Sequence, residues 1–362
     1  MKTRHRAYML AAAAGAVVGL AAVAGAIYRK QIKSAASLKR LTDYADGYDL
    51  YAIDIAYDYD LDRIIAADVR DDQAYIDAVV AQVLPGVPAH VRAPQFACSA
   101  FAAVDAEGRV RTGRNYDFKD DTSALLVRNY PRDGYASIGF AALNNLGNNA
   151  PLDSIAGRAA ALMGPFAQLD GVNECGVTIA VPTLDSKPCD QDTQRPVINT
   201  SLAIRLVLDR AATTQEAVDL LSAYDMHAMA GRDYHFFIND AAGEARVVEW
   251  DPRDPDRTCK ATPVRQVTNF YACYGDEVLP NQKNGELGHG KERAIAIADV
   301  LDAHAGAQDE AAVWKALRAA AQDPNPEDIT SNTQWSVVFD NTEPAAAITL
   351  RRHWGDVDAF AL

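Results

Sequence analysis

Residues 98–118 read C-S-A-F-A-A-V-D-A-E-G-R-V-R-T-G-R-N-Y-D-F. The apolar run Ser99–Val104, the polar turn Asp105-Ala106-Glu107-Gly108 and the run Arg109–Gly113 predict a β-hairpin with a longer loop. Such a hairpin returns residues 113–118 to the side of Cys98. Arg114 lies 16 residues after the cysteine and Asp117 lies 19 after it. A guanidinium and a carboxylate therefore flank the thiol, and an adjacent cation lowers a thiol's pKa toward the reactive thiolate. Taken alone, Cys98 reads as a small buried hydrophobe. The charges that come back to it turn it into a candidate nucleophile.

The pattern downstream is mixed. Strands are expected at Ala124–Arg128 and Val177–Val181. Helices are expected at Asn199–Ala212 and Gln215–Tyr224, the second opening on a Thr-Thr cap. A second hairpin is expected from Tyr234–Asn239 and Glu244–Trp250 around Asp240-Ala241-Ala242-Gly243. Helices Lys291–Ala303 and Glu310–Ala321 and strands Thr333–Phe339 and Ala345–Arg351 complete the series. Blocks of strands and paired helices, without strict βαβ alternation, predict a layered α+β fold.

Upstream the charge changes sign. Residues 1–45 carry net +7, residues 46–97 net −7 and residues 98–362 net −14. Ala7–Tyr28 is an uncharged run of 22 residues with Lys2, Arg4 and Arg6 before it and Arg29, Lys30 and Lys33 after it. About 20 apolar residues span a bilayer core, so residues 1–33 are expected to be a signal peptide or membrane anchor, with Ala22-Val23-Ala24 or Ala24-Gly25-Ala26 as cleavage sites. The basic charge after the run argues by the positive-inside rule for a cytoplasmic catalytic part. The basic N-terminus followed directly by an apolar run argues for export, which gives a secreted or membrane-anchored protein with an extracytoplasmic catalytic domain. Residues 34–97 form a second, acidic segment. In its D-G-Y-D-L-Y-A-I-D-I-A-Y-D-Y-D-L-D stretch (residues 46–62) Tyr, Ile and Leu alternate imperfectly with Asp, which suggests a half-buried strand although Asp is a poor strand former. The stretch lacks the Gly and Glu positions of an EF-hand loop, and a solvated acidic face is expected rather than a Ca²⁺ site. Ala74–Leu84 is expected to be helical, and Pro85-Gly86-Val87-Pro88 breaks the chain before Cys98.

An acidic chain without a dense Lys/Arg patch is a poor nucleic-acid binder. Cys175, Cys189, Cys259 and Cys273 show no C-x-x-C pattern, which argues against zinc. Export leaves room for one or two disulfides, with a buried free thiol as the default for each. No cofactor or metal is expected, and His235 is expected to be packed rather than catalytic.

The Cys followed at this spacing by G-R-N-Y-D (Gly113–Asp117) resembles the choloylglycine hydrolases. That family includes bile salt hydrolases and penicillin V acylases, with acid ceramidase as a distant relative. D-G-V-N-E-C-G-V (Asp170–Val177) is similar to the family's D-G-M-N-E-K-G-L. H-F-F-I-N-D-A-A-G-E-A-R-V-V-E (His235–Glu249) is similar to its central hairpin. V-T-N-F (Val267–Phe270), G-K-E-R (Gly290–Arg293) and T-Q-W-S-V-V-F-D (Thr333–Asp340) follow in order, so the resemblance covers roughly residues 98–352.

It implies a four-layer αββα N-terminal nucleophile sandwich over residues 98–362 and hydrolysis of linear C–N amides. Cleavage of Ala97–Cys98 would free an α-amino group as base for the Cys98 thiol. Asp117 would contact that amine, Arg114 and Arg293 would orient the surroundings, and Asn269 would help bind the oxyanion. Asn173 and Thr183 are weaker candidates for substrate or oxyanion contacts. Two departures stand out. Ninety-seven residues precede Cys98, so activation requires cleavage, and residues 34–97 are then expected to be an acidic pro-segment. Thr183 also occupies the place of an Asn in the bile salt hydrolase pattern, which weakens the case for bile salts. The expected substrate is a small N-acyl amide. An acyltransferase on the same fold and an inactive, membrane-tethered binding protein are the alternatives, and a homo-oligomer is allowed.

Overall fold

A computed structural model describes residues 28–85, 97–147, 152, 154–281, 287–325, 327–328 and 331–362. The expected apolar segment, apart from Tyr28, lies outside the described residues, as do its cleavage sites and the Gly86–Pro88 break. Among the described residues no helix is long and apolar enough to cross a membrane.

Two β-sheets organise the chain. The larger runs, in spatial order, Lys39–Arg40, Leu50–Ile55, Ala124–Asn129, Ser137–Ala142, Gln168–Asn173, Thr178–Ala180, Phe236–Asn239, Ala245–Trp250 and Cys259–Pro263. The smaller runs Gln266–Val267, Ala97–Val104, Val110–Asp117, Thr333–Asp340, Ala345–Leu350 and Asp358–Ala361. Both expected hairpins form. Cys98 pairs with Tyr116 and Ala100 with Arg114, while Phe236 pairs with Val248. The second strand of the first hairpin starts at Val110, one residue later than expected, and runs on to Asp117. In the turn before it Asp105 accepts the backbone N–H groups of Glu107 and Arg109 on its side chain. This Asx-type closure competes with the ladder.

Alternating side chains give each sheet an inner and an outer face. Inside, Phe140 of the larger sheet meets Trp335 and Phe339 of the smaller one, with ring centroids 6.5 and 6.2 Å apart. Outside the smaller sheet, Phe101 and Val338 pack against Ile297, Leu301, Val313 and Leu317 of helices Lys291–Ala303 and Glu310–Ala320. Against the larger sheet lies helix Thr200–Arg210, ten of whose eleven residues are buried. Asn199 caps this helix by accepting the Leu202 N–H at 2.9 Å, so the expected first residue is the cap rather than the first turn. The result is mixed α/β structure with two facing sheets between helices. Each fully buried Leu, Ile or Phe contributes about 1.5–3 kcal/mol.

The acidic segment forms the strand that its alternation suggests, but buries it more deeply than a half-buried strand or a solvated face. Leu50–Ile55 is an interior strand, parallel to Ala124–Asn129 along its whole length, and only Asp54 in it is exposed. Leu50, Ile53, Ile55, Tyr57, Val79 and Val83 belong to the same core cluster as Cys98 and Trp335. The phenols of Tyr57 and Tyr75 donate to the carbonyls of Leu162 (2.5 Å) and Phe166 (2.9 Å). The aspartates that suggested a solvated face do local work at its margins. Asp60 and Asp71 cap helices Leu61–Ile65 and Asp72–Val83, and buried Asp49 receives Arg40 and the Tyr44 N–H. An Asp-rich composition thus surrounds an apolar strand whose run L-Y-A-I-D-I was the stronger signal.

Candidate active site

Cys98 is the second residue of the strand Ala97–Val104, and its side chain is fully buried. Gly113, opposite Phe101 in the hairpin, must lack a side chain, because a Cβ there would come within 2.3 Å of the Phe101 ring. This close approach lets the return strand deliver Arg114 and Asp117, both fully buried, to the Cys98 end of the hairpin.

Arg114 Nη2 donates to Cys98 Sγ at 3.1 Å, and its Nε lies 2.9 Å from Asp170 Oδ2. The guanidinium also lies over the Tyr116 ring, 5.5 Å from its centroid. The Arg114–Asp170 contact is an ion pair off hydrogen-bond alignment, and Arg114 Nη1 has no partner among the described residues. Burial pushes the Asp170 carboxyl up to about 6, against the pull of Arg114. Burial likewise pushes the Cys98 thiol up to about 12, opposed first by Arg114 and reinforced by Asp117 and Asp170. In the continuous chain the thiol is therefore protonated, and the Cys98 nitrogen is an amide that has no lone pair to act as a base.

A second cation ties the rest together. Arg293 Nη1 donates to the Cys98 carbonyl (3.2 Å) and to Asp117 Oδ2 (3.1 Å), while Nη2 donates to Asn269 Oδ1 at 2.6 Å. Asn269 Oδ1 also accepts the Cys98 N–H at 3.4 Å, and its Nδ2 donates one hydrogen to the Thr183 carbonyl at 2.8 Å. An amide NH2 has two donors, so a second N–H of Asn269 is left over after the bond to Thr183. Asp117 is held by Thr333 Oγ1 (2.6 Å), Gln322 Nε2 (3.3 Å) and Arg293. Burial raises its pKa, with Arg293 as the main opposing charge. Arg293 reaches inward because Gly290, at φ +86°, starts its helix where a Cβ would meet Arg293 Nη2 at 2.7 Å and Thr268 Oγ1 at 2.8 Å.

Five expected residues (Cys98, Arg114, Asp117, Asn269 and Arg293) thus form one connected group. Thr183 joins it through its carbonyl, while its hydroxyl turns away to the Asp233 carbonyl at 3.2 Å. Asn173 is engaged elsewhere. Its Oδ1 accepts the Cys175 and Val177 N–H groups, and its Nδ2 donates to the Leu208 and Ala211 carbonyls. Asn173 closes the N-E-C-G turn and the end of a helix, and no polar atom of its side chain is left for substrate. The five cysteines are free thiols. Asp170, Thr333 and Gln322 were not singled out from the sequence. Asp170 and Thr333 lie inside quoted motifs, but nothing in the chain order says that Asp170 crosses from the other sheet to pair with Arg114. Gln322 gave no signal.

Known proteins resemble the chain in fold and in family. No curated protein matches the chain by sequence. A conjugated bile acid hydrolase from Clostridium perfringens superposes with a TM-score of 0.56 at 15% identity, covering 73% of this chain and 92% of that one. A penicillin V acylase from Agrobacterium tumefaciens superposes with a TM-score of 0.52 at 18% identity, covering 73% and 86%. The chain therefore has the N-terminal nucleophile hydrolase fold. The model of the acyl-coenzyme A:6-aminopenicillanic acid acyl-transferase family matches residues 104–353. Cys98 stands six residues before that match, and the residues that surround its thiol and backbone lie within it. By this match the chain belongs to the acyl-coenzyme A:6-aminopenicillanic acid acyl-transferase family.

Proposed function

We propose that the chain is a self-processing cysteine amidase that hydrolyses linear, non-peptide C–N bonds of small N-acyl amides. The single observation behind this reading is the placement of Arg114 Nη2 at 3.1 Å from Cys98 Sγ, with Arg293 and Asn269 engaging the backbone of the same residue. Addition of water across the Ala97–Cys98 peptide bond leaves a carboxylate on Ala97 and an amine on Cys98. An α-amine has a pKa near about 8, so it can accept the thiol proton at neutral pH, and Arg114 stabilises the thiolate. Sulfur attacks the substrate carbonyl, and the oxyanion takes the second N–H of Asn269 and backbone donors. The ammonium returns its proton to the substrate nitrogen, the C–N bond breaks, and an acyl thioester remains. Water, deprotonated by the amine, then attacks the thioester, releasing the carboxylic acid and the thiol.

Burial of Leu50–Ile55 in the shared core supports a pro-segment that stays bound after cleavage. The uncharged run Ala7–Tyr28 with its basic flanks supports a membrane-anchored or exported protein with its catalytic part outside the cytoplasm. The family's name favours a second reading, in which an amine intercepts the thioester and the chain is an acyltransferase.

Intact-mass measurement of purified full-length protein tests the proposal. A fragment beginning at Cys98, amide hydrolysis by the cleaved form and loss of both in Cys98→Ser are expected. An uncut chain that hydrolyses N-acyl amides at full rate would refute the amine mechanism. Adding an amine nucleophile and counting acyl amide against free acid separates transferase from hydrolase.

A further inference from the structure

Behind Asn269 lies a buried ionisable pair that the mechanism above does not use. His235 and Glu249 are both fully buried. His235 Nδ1 lies 3.1 Å from Glu249 Oε2, and Nε2 lies 2.9 Å from the Thr268 carbonyl. Glu249 also accepts the N–H groups of Ala272 (3.0 Å, at Oε2) and Cys273 (2.6 Å, at Oε1). Thr268 directly precedes Asn269, and its hydroxyl donates to the Gly290 carbonyl at 2.9 Å, at the start of the Arg293 helix. One polar chain therefore runs from Glu249 through His235 to the peptide that joins Thr268 to Asn269.

The direction of its hydrogen bonds follows from the atoms. A carbonyl only accepts, so Nε2 must donate to Thr268, and Nδ1 and Glu249 Oε2 share one further proton between them. The thiols of Cys259 and Cys273 also face Glu249, and Lys260 pairs with it across the strand but is exposed. A buried ionic pair is weak evidence for stability, because apolar replacements of equal volume are often as stable. Its connection is more informative than its presence, since it terminates on the backbone of the candidate oxyanion donor.

We propose that His235 is a positioning residue for acyl transfer: its Nε2–H holds the Thr268 carbonyl and so aims the Asn269 amide, while Glu249 orients the ring. The proposal rests on the reading of Asn269 as the oxyanion donor. Site groups need placement to within about 0.5 Å, and a misplacement of about 1 Å costs roughly 100-fold in rate.

The probe is p-nitrophenyl decanoate, whose carbonyl is attacked by the Cys98 sulfur with p-nitrophenolate leaving. The first-turnover burst then reads acylation per cleaved active site, for hydrolase or transferase alike. His235→Leu is expected to slow the burst about 30- to 100-fold at unchanged apparent substrate affinity. His235→Gln, whose amide nitrogen reaches the Nε2 position, is expected to stay within about fivefold of native. Glu249→Gln, which can donate to a neutral Nδ1, is also expected to stay near native. Asn269→Ala is expected to be slow, and Asn269→Ala combined with His235→Leu no slower than Asn269→Ala alone, because groups acting as a unit are non-additive. Losses that multiply, or a His235→Leu loss confined to affinity, would overturn the positioning role. A native burst in Asn269→Ala would instead overturn the underlying oxyanion reading. If His235→Leu does not fold, His235→Asn replaces it, since its amide is too short to reach Thr268. Equal bursts in the Asn and Gln variants would then sink the proposal.

Discussion

Replacing Arg114 with Met keeps the volume near constant and removes the cation from the thiol. At 3.1 Å, two unit charges in an effective dielectric of about 20 attract by about 5 kcal/mol, which is a ceiling. A hydrogen bond to a charged partner is worth about 1.5–3 kcal/mol net. That range predicts a loss of about 10- to 150-fold in kcat/KM for an amide substrate. The same substitution acts on stability through Asp170. Its carboxyl stands at about 6 in the fold with Arg114 beside it, above an unfolded value near about 3.9. The folded state therefore binds this proton more tightly, and stability falls as pH rises from about 4 to about 6. Without Arg114 the folded pKa moves higher, so Arg114→Met is expected to go on losing stability above pH 6. Adding Asp170→Asn should abolish that extra slope without restoring turnover. Thermal unfolding between pH 5 and pH 8 and steady-state kinetics per cleaved active site measure both. An Arg114→Met protein that is folded, cleaved and within threefold of native turnover would refute the role of Arg114 at the thiol. An unchanged pH slope would refute the Asp170 account.

Asn269→Ala should lower kcat by about 100- to 1,000-fold, the usual loss for one oxyanion donor, with substrate dissociation measured separately. Thr333→Val removes the 2.6 Å bond to buried Asp117. It should destabilise the protein by about 1–3 kcal/mol, and an unaltered denaturation midpoint would show that the bond is dispensable. Ile53→Ala, in the interior strand Leu50–Ile55, should cost about 2–5 kcal/mol. In the cleaved protein it should make the two fragments separate on size-exclusion chromatography at denaturant concentrations that leave native fragments together. Iodoacetamide should modify Cys98 more slowly in the uncut chain than in the cleaved one, because burial holds the thiol near about 12. Equal rates, followed by peptide mass, would contradict that electrostatic picture.

Local patterns were sufficient to place the hairpin that carries Cys98. An apolar run, a polar turn and a return run mark the 98–118 pair, and a hairpin of that span has only one way to bring Arg114 and Asp117 back to Cys98. Helices Lys291–Ala303 and Glu310–Ala320 were readable for the same reason, since helical periodicity and caps are written within a few residues. Asn269 and Arg293 were named through resemblance, and their convergence on the Cys98 backbone spans 171 and 195 residues of chain.

The sequence by itself determined which residue types were available: one thiol with returning charges, a late Asn and a late Arg, and an acidic stretch with an apolar run inside it. Only the tertiary structure decided their partners. It paired Arg114 with Asp170 from the opposite sheet, set His235 behind Asn269 and closed Asn173 into a turn. It also drew Leu50–Ile55 into the larger sheet, where composition had suggested a solvated face. The physical reason is common to all four. Hydrogen-bond and charge partners are chosen by which faces of the two sheets meet, and burial, which raises the pKa values of Cys98, Asp117 and Asp170, is a property of that meeting rather than of any local stretch of chain.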